Sequence, residues 1–83
     1  MSGQRRNSVK VSVDILKTAK GGAKKTKIVY GSNLNFEIIK KYLNALQNSG
    51  LLEIDEEGRY ITTSKGMQFV EDYNNLLKPL NMI

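Results

Sequence analysis

Residues 30–50 have the sequence YGSNLNFEIIKKYLNALQNSG, and this stretch decides the fold. Glycine, serine and asparagine at positions 31–33 are typical of a tight turn. Asn35 can then cap a helix, Glu37 lies in the first turn, where the helix dipole favours an anion, and Gly50 ends the helix. The stretch therefore predicts a turn followed by one well-defined helix.

The predicted helix has an apolar face and a polar face. The apolar face follows an i, i+3, i+7, i+10 series with two further side chains, and consists of Phe36, Ile39, Leu43 and Leu46, joined by Ile38 and Tyr42. The polar face consists of Glu37, Lys40, Lys41, Asn44 and Gln47. Amide and ammonium groups can hydrogen-bond base edges or phosphates, so the polar face is a candidate nucleic-acid contact.

Two shorter helices are predicted before the turn. Residues 8–20 begin with a serine suited to an N-cap and are followed by Gly21 and Gly22, which can end a helix. The alternation of apolar and polar residues over positions 9–15 also fits a strand, so periodicity alone leaves both interpretations open. Residues 23–30 are short and basic and predict a brief second helix.

A β-hairpin and a last helix are predicted after the central helix. Residues 51–55 and 59–63 have the composition of strands and flank a glycine-containing tip at residues 56–58. Thr63 can cap a last helix over residues 64–77. Two strands alone are marginally stable, so we expect the hairpin to pack on the helices.

The apolar band of the last helix is broader than one small core requires. It has two interpretations: the helix only completes the core, or it also pairs with a second copy of the chain as a short antiparallel helix pair. We favour the second, which predicts a homodimer. The predicted dimer contacts are Met67, Val70, Tyr73, Asn74 and Leu77.

The charge of the chain is unevenly distributed. Residues 1–41 hold ten of the thirteen lysine and arginine residues and carry a net charge of +8, whereas residues 42–83 carry −3. A basic half suits a phosphate backbone, whose neutralisation releases counterions, although a basic face can also serve solubility alone.

The composition excludes several classes of protein. Cysteine and histidine are absent, which removes disulfides, the usual zinc ligands and an imidazole base. No segment approaches the roughly 20 apolar residues that span a bilayer. We therefore expect a soluble cytoplasmic protein that is not an enzyme and uses no cofactor, metal or membrane. Its 83 residues predict a single domain over 8–83 after a flexible basic arm over 1–7.

Five stretches of the chain carry a resemblance to a known family. They are residues 14–17 with 19–20, residues 25–34, residues 41–43 with 46, residues 50–52 and residues 60–66, and the turn at residues 30–34 is the most distinctive part. On these residues the chain resembles an archaeal family of ten-kilodalton chromosomal winged helix-turn-helix proteins, whose C-terminal helices pair as an antiparallel coiled coil.

The resemblance implies an α+β, mostly helical fold: three helices, a β-hairpin wing and a C-terminal helix. It also implies that residues 8–20 are helical. The expected function is binding of double-stranded DNA by a chromosome-associated homodimer that acts as a transcription regulator or as a chromatin-like architectural protein. The alternative is a winged-helix module that binds another protein.

The predicted DNA contacts lie on the second helix, the turn, the recognition helix and the wing. The second helix would hold backbone phosphates, and the recognition helix would contact base edges and phosphates in the major groove. The wing contributes a single cation. The predicted set is Lys24, Lys25, Lys27, Tyr30, Ser32, Asn33, Asn35, Lys40, Lys41, Asn44 and Arg59.

Two features depart from the family pattern. Thr62 stands where that pattern more often has leucine, and we expect this to loosen the packing of the second strand. The hairpin tip contains Asp55, Glu56 and Glu57, which repel phosphate. We therefore expect the wing to contribute little to DNA binding.

Overall fold

The computed structural model describes residues 8–32 and 34–81, and within them four helices and one hairpin follow each other along the chain. The elements are α1 (Ser8–Thr18), α2 (Lys25–Ser32), α3 (Phe36–Asn48), β1 (Leu52–Ile54), β2 (Tyr60–Thr62) and α4 (Ser64–Asn81). The predicted mostly helical α+β architecture is confirmed. The basic arm predicted for residues 1–7 and the predicted contact at Asn33 lie outside the described residues.

The first element is a helix, and it lies at the centre of the core. α1 packs against α2, α4 and β2, so it needs apolar side chains on more than one side. This explains why its sequence pattern also fits a strand. It ends at Thr18, two residues before the predicted end at Lys20. The core consists of Val11, Val13, Ile15, Leu16, Ala19, Ala23, Ile28, Ile39, Leu43, Leu46, Leu52 and Val70.

The two ends of α3 lie where the sequence predicts them. The side-chain oxygen of Asn35 accepts a hydrogen bond of 2.9 Å from the Ile38 N–H, as an N-cap does. Gly50 follows the helix with a φ of +80°, a conformation that glycine adopts without strain, and its N–H donates to the Gln47 carbonyl over 3.0 Å. Local signals alone therefore determine the bounds of this helix.

The prediction for α2 is wrong at both ends. The helix was predicted over residues 23–30, but it runs from Lys25 to Ser32 and includes Gly31. Ala23 does not join it, because its backbone exchanges two hydrogen bonds of 2.9 and 2.8 Å with Tyr60 of β2. This bridge holds residue 23 beside the hairpin, so the helix begins only at Lys25.

The hairpin is antiparallel, and Leu52, Glu53 and Ile54 pair with Thr62, Ile61 and Tyr60, respectively. Thr62 is buried, and its hydroxyl donates a hydrogen bond of 2.6 Å to the Leu16 carbonyl near the end of α1. A leucine could not make this bond. The departure from the family pattern thus links β2 to α1 through a buried, hydrogen-bonded hydroxyl.

α4 begins as predicted and ends later. The hydroxyl of Thr63 accepts a hydrogen bond of 3.1 Å from the Gly66 N–H and so caps the helix. The helix continues past the predicted end at Leu77 to Asn81, through Pro79. Proline has a helical φ and lacks only the N–H donor, and the carbonyl that loses this donor lies on an exposed turn where water can replace it.

Candidate nucleic-acid interface

The outward face of α3 is polar. Ile39, Leu43 and Leu46 are buried, and at 3.6 residues per turn the opposite side of the helix points away from the core. The exposed polar residues of this face are Glu37, Lys40, Lys41, Asn44 and Asn48. The structure therefore brings the three predicted recognition-helix contacts, Lys40, Lys41 and Asn44, onto one accessible surface.

Two residues of the predicted apolar face of α3 are exposed instead. Ile38 precedes the buried Ile39 by one position, which rotates its side chain about 100° away from the core. Phe36 is the first residue of the helix and is 41% exposed, because no earlier turn of α3 covers it. These two side chains of the predicted apolar face therefore lie outside the buried core.

Exposed lysines lie at the start of α2. Lys24 directly precedes the helix, and its carbonyl accepts hydrogen bonds from the backbone of Lys27 and Ile28 over 3.0 and 3.2 Å. The side chains of Lys24, Lys25 and Lys27 are all exposed. The ammonium nitrogen of Lys25 lies 4.7 Å from the centre of the Phe36 ring. This contact joins the basic end of α2 to the first turn of α3.

The predicted contacts near the turn differ in their accessibility. Tyr30 is 85% exposed, so its ring is available to a ligand. Ser32 is only 5% exposed, and its hydroxyl donates to the Val29 carbonyl and accepts from the Leu34 N–H over 3.0 and 3.2 Å. Its side chain shapes the end of α2, and its burial leaves little of it accessible for the predicted DNA contact. The side-chain oxygen of Asn35 is occupied by the helix cap.

The wing has an acidic tip that binds its own arginine. Nε of Arg59 lies 2.9 Å from the Asp55 carboxylate, and a terminal nitrogen of the same side chain lies 3.3 Å from Glu57. The backbone N–H of Arg59 also donates to Asp55 and is the largest cause that holds the pKa of this carboxyl below its usual range. The wing therefore presents its only cation already paired with two anions.

The residues predicted for the dimer contact are divided between the core and the surface of α4. Val70 is 5% exposed and packs in the core of its own chain, so little of its side chain is left for the predicted dimer contact. Met67, Tyr73 and Leu77 are half-buried, and Asn74 is exposed. Leu76, also on this helix, is 72% exposed.

A cavity of about 190 Å³ lies beside Leu76, between α4 and the start of α1. It is lined by Val9, Phe69, Asp72, Tyr73 and Leu76. The contribution of Val9 was not predicted, because it depends on α1 packing against α4.

The described part of the chain holds neither a membrane-spanning helix nor a cluster of metal ligands. None of the helices in this part of the chain is both long and apolar enough to cross a membrane. Within the same ranges, 8–32 and 34–81, no three or more metal-ligating side chains gather where they could hold an ion.

Comparison with known proteins identifies relatives of this fold. The sequence profile of a family described as winged helix-turn-helix matches residues 5–80. Among solved structures, the chain is similar to Sso10a-2, a DNA-binding protein from Sulfolobus solfataricus, with a TM-score of 0.78 and 24% sequence identity. That alignment covers 92% of this chain and 83% of the other. No curated protein matches the sequence.

Proposed function

Because this chain belongs to the winged helix-turn-helix family, we propose that it binds double-stranded DNA and places α3 in the major groove. The observation that carries the proposal is the exposed polar face of α3. Lys40, Lys41 and Asn44 lie on it together, and Glu37 is the only carboxylate in α2 or α3. The printed description of Sso10a-2 as a DNA-binding protein supports the same function.

The side chains of the interface have different roles. Asn44 presents an amide that can pair with a base edge, and Lys40 and Lys41 contact phosphate or guanine. The exposed lysines of α2 hold backbone phosphates and so set the position of α3. The wing adds little affinity, because Arg59 is paired with Asp55 and Glu57.

We further propose that the functional unit is a homodimer formed through α4. The exposed Leu76 and the adjoining cavity between α4 and α1 support this proposal, because each leaves apolar surface in water. The protein acts as a transcription regulator or as a chromatin-like architectural protein. Genome-wide occupancy separates these roles, since a regulator produces discrete peaks and an architectural protein produces diffuse coverage.

Fluorescence anisotropy with a labelled DNA duplex, repeated over a range of salt concentrations, tests DNA binding. We expect binding that weakens steeply with salt, and we expect Lys40→Gln and Lys41→Gln each to reduce the salt slope by about one. Lys78→Gln is the matched control, because it removes one exposed charge from α4, outside the interface. Absence of binding at low salt would favour the protein-binding alternative, and an equal effect of Lys78→Gln would contradict the assignment of the DNA contact to α3.

A further inference from the structure

A shallow cavity of about 280 Å³ lies between α2 and the start of α3. It is lined by Lys25, Thr26, Val29, Tyr30 and Phe36. Cavities that enclose drug-sized ligands measure about 300–1,000 Å³, so this one suits a smaller chemical group.

Two aromatic rings remain exposed around this cavity. Tyr30 is 85% exposed and Phe36 is 41% exposed. Leaving such large apolar surfaces in water forgoes the stabilisation that burial provides, and neighbouring exposed aromatic side chains are typical of binding surfaces. The rings form an apolar wall that the core of the protein does not use.

The cavity also has a positively charged edge. The Lys25 ammonium lies 4.7 Å from the centre of the Phe36 ring, a distance at which a cation is attracted to an aromatic face. None of the residues that line the cavity is acidic. A ligand with an apolar body and an anionic end therefore complements both the wall and the edge.

The cavity continues the polar face of α3. Phe36, Lys40 and Asn44 follow each other at intervals of four residues, so they lie along one side of the helix. DNA that contacts Lys40 and Asn44 would also pass the cavity, because the cavity lies beside the first turn of α3. Most protein–DNA contacts are made to phosphate and sugar, so the backbone of the bound strand is the group expected at this position.

We propose that this cavity binds one deoxyribose–phosphate unit of the DNA backbone. The carbon atoms of the sugar pack against Phe36 and Tyr30, and the phosphate lies on the Lys25 ammonium. The contact carries no sequence information and sets the position of α3 along the groove. The inference rests on the proposed function and deepens it, because it assigns a backbone contact to Phe36.

Anisotropy titrations of single variants on two duplexes of unrelated sequence test this proposal. Tyr30→Ala and Phe36→Ala are expected to weaken binding to both duplexes by about fivefold without changing the salt slope, because no charge is lost. Lys25→Gln is expected to weaken binding and to reduce the slope by about one. Tyr30→Phe keeps the ring and is expected to bind as the wild type does.

Ile54→Ala is the matched control, because Ile54 is also an exposed apolar residue and lies on the wing. Circular dichroism and thermal unfolding verify that each variant folds. If wild type binds and the cavity variants bind equally well, the cavity proposal fails and the proposed function stands. If wild type does not bind, the proposed function itself fails.

Three further results would overturn the backbone contact. A loss of affinity on only one of the two duplexes would indicate contact with a base. A larger loss on single-stranded DNA than on duplex would indicate base stacking. A shift from dimer to monomer in sedimentation would show that a second copy of the chain occupies the cavity.

Discussion

Because Gly66 has no Cβ, α4 can pack closely on the hairpin at this position. A Cβ at this position would overlap the backbone carbonyl of Leu51 and would lie 2.6 Å from Cγ2 of Thr62. The carbonyl belongs to the backbone and cannot rotate away as a flexible side chain can. Gly31 is also helical, but a Cβ there would have only Thr18 Oγ1 nearby, at 4.0 Å.

Replacing Gly66 and Gly31 by alanine is expected to change the free energy of unfolding in opposite directions. Gly66→Ala should lower the free energy of unfolding by about 1–3 kcal/mol or more, because α4 has to move away from the hairpin. Gly31→Ala, the matched control, should raise it by up to about 1 kcal/mol through helix propensity. Urea denaturation measures both, and effects of equal sign would contradict this account of Gly66.

Thr62 contributes to stability through its hydroxyl. Thr62→Val keeps the shape of the side chain but leaves the Leu16 carbonyl without its donor, which is expected to cost about 1–3 kcal/mol. Thr26→Val is the control, since Thr26 is exposed and its substitution should change stability by less than about 0.5 kcal/mol. Equal effects in chemical denaturation would show that the buried hydrogen bond contributes nothing.

At the scale of elements, the hairpin tip is organised by Asp55. Its carboxylate accepts backbone hydrogen bonds from Arg59 and Glu57, each 2.9 Å long, as well as the ion pair with the Arg59 side chain. These donors favour the charged form, so the tip and the ionisation of Asp55 stabilise each other.

The contribution of Asp55 to stability is expected to depend on pH. The pKa of its carboxyl is lowered in the folded protein, so the stabilisation is present above the ordinary value of 3.8 and is lost as the pH falls through the lowered pKa. The difference in unfolding free energy between wild type and Asp55→Asn should therefore be constant near neutral pH and shrink in acid. A difference that does not change with pH would contradict a stabilising role for the charged form of Asp55.

The ion pairs that Arg59 forms with Asp55 and Glu57 also predict how the loss of its side chain affects DNA binding. Arg59→Ala should change the affinity for duplex DNA by less than about twofold, because its charge is already balanced by Asp55 and Glu57. Lys40→Ala should cause a larger loss at the same salt concentration. Comparable losses in anisotropy titrations would show that the wing contacts DNA through Arg59.

At the scale of the whole molecule, α4 serves two surfaces. Val70 faces the core, and Leu76 faces outward beside the cavity that Val9 helps to line. A substitution at Leu76 can therefore affect association without removing a core contact, whereas one at Val70 affects folding first.

Leu76→Glu is expected to weaken the proposed dimer by at least about tenfold, because it places a charge in an apolar contact. Asn75→Glu introduces the same charge at the neighbouring exposed position, outside the lining of the cavity, and should leave association unchanged. Sedimentation equilibrium measures both. A monomeric wild type at high concentration, or equal effects of the two variants, would contradict dimerisation through this face.

The sequence by itself determined α3, the hairpin and the start of α4. The Asn35 cap, the glycine after α3 and the Thr63 cap act over a few residues, and the alternation of buried and exposed positions on α3 follows from helix geometry. The exposure of Lys40 and Asn44 could be predicted for the same reason.

Only the tertiary structure decided features that join distant parts of the chain. The bridge between Ala23 and Tyr60 moved the start of α2, and the packing of α4 against α1 placed Val70 in the core. The exposure of Phe36 beside Lys25 likewise depends on how α2 meets α3. Such contacts form between residues that are separated along the chain, so no local pattern records them.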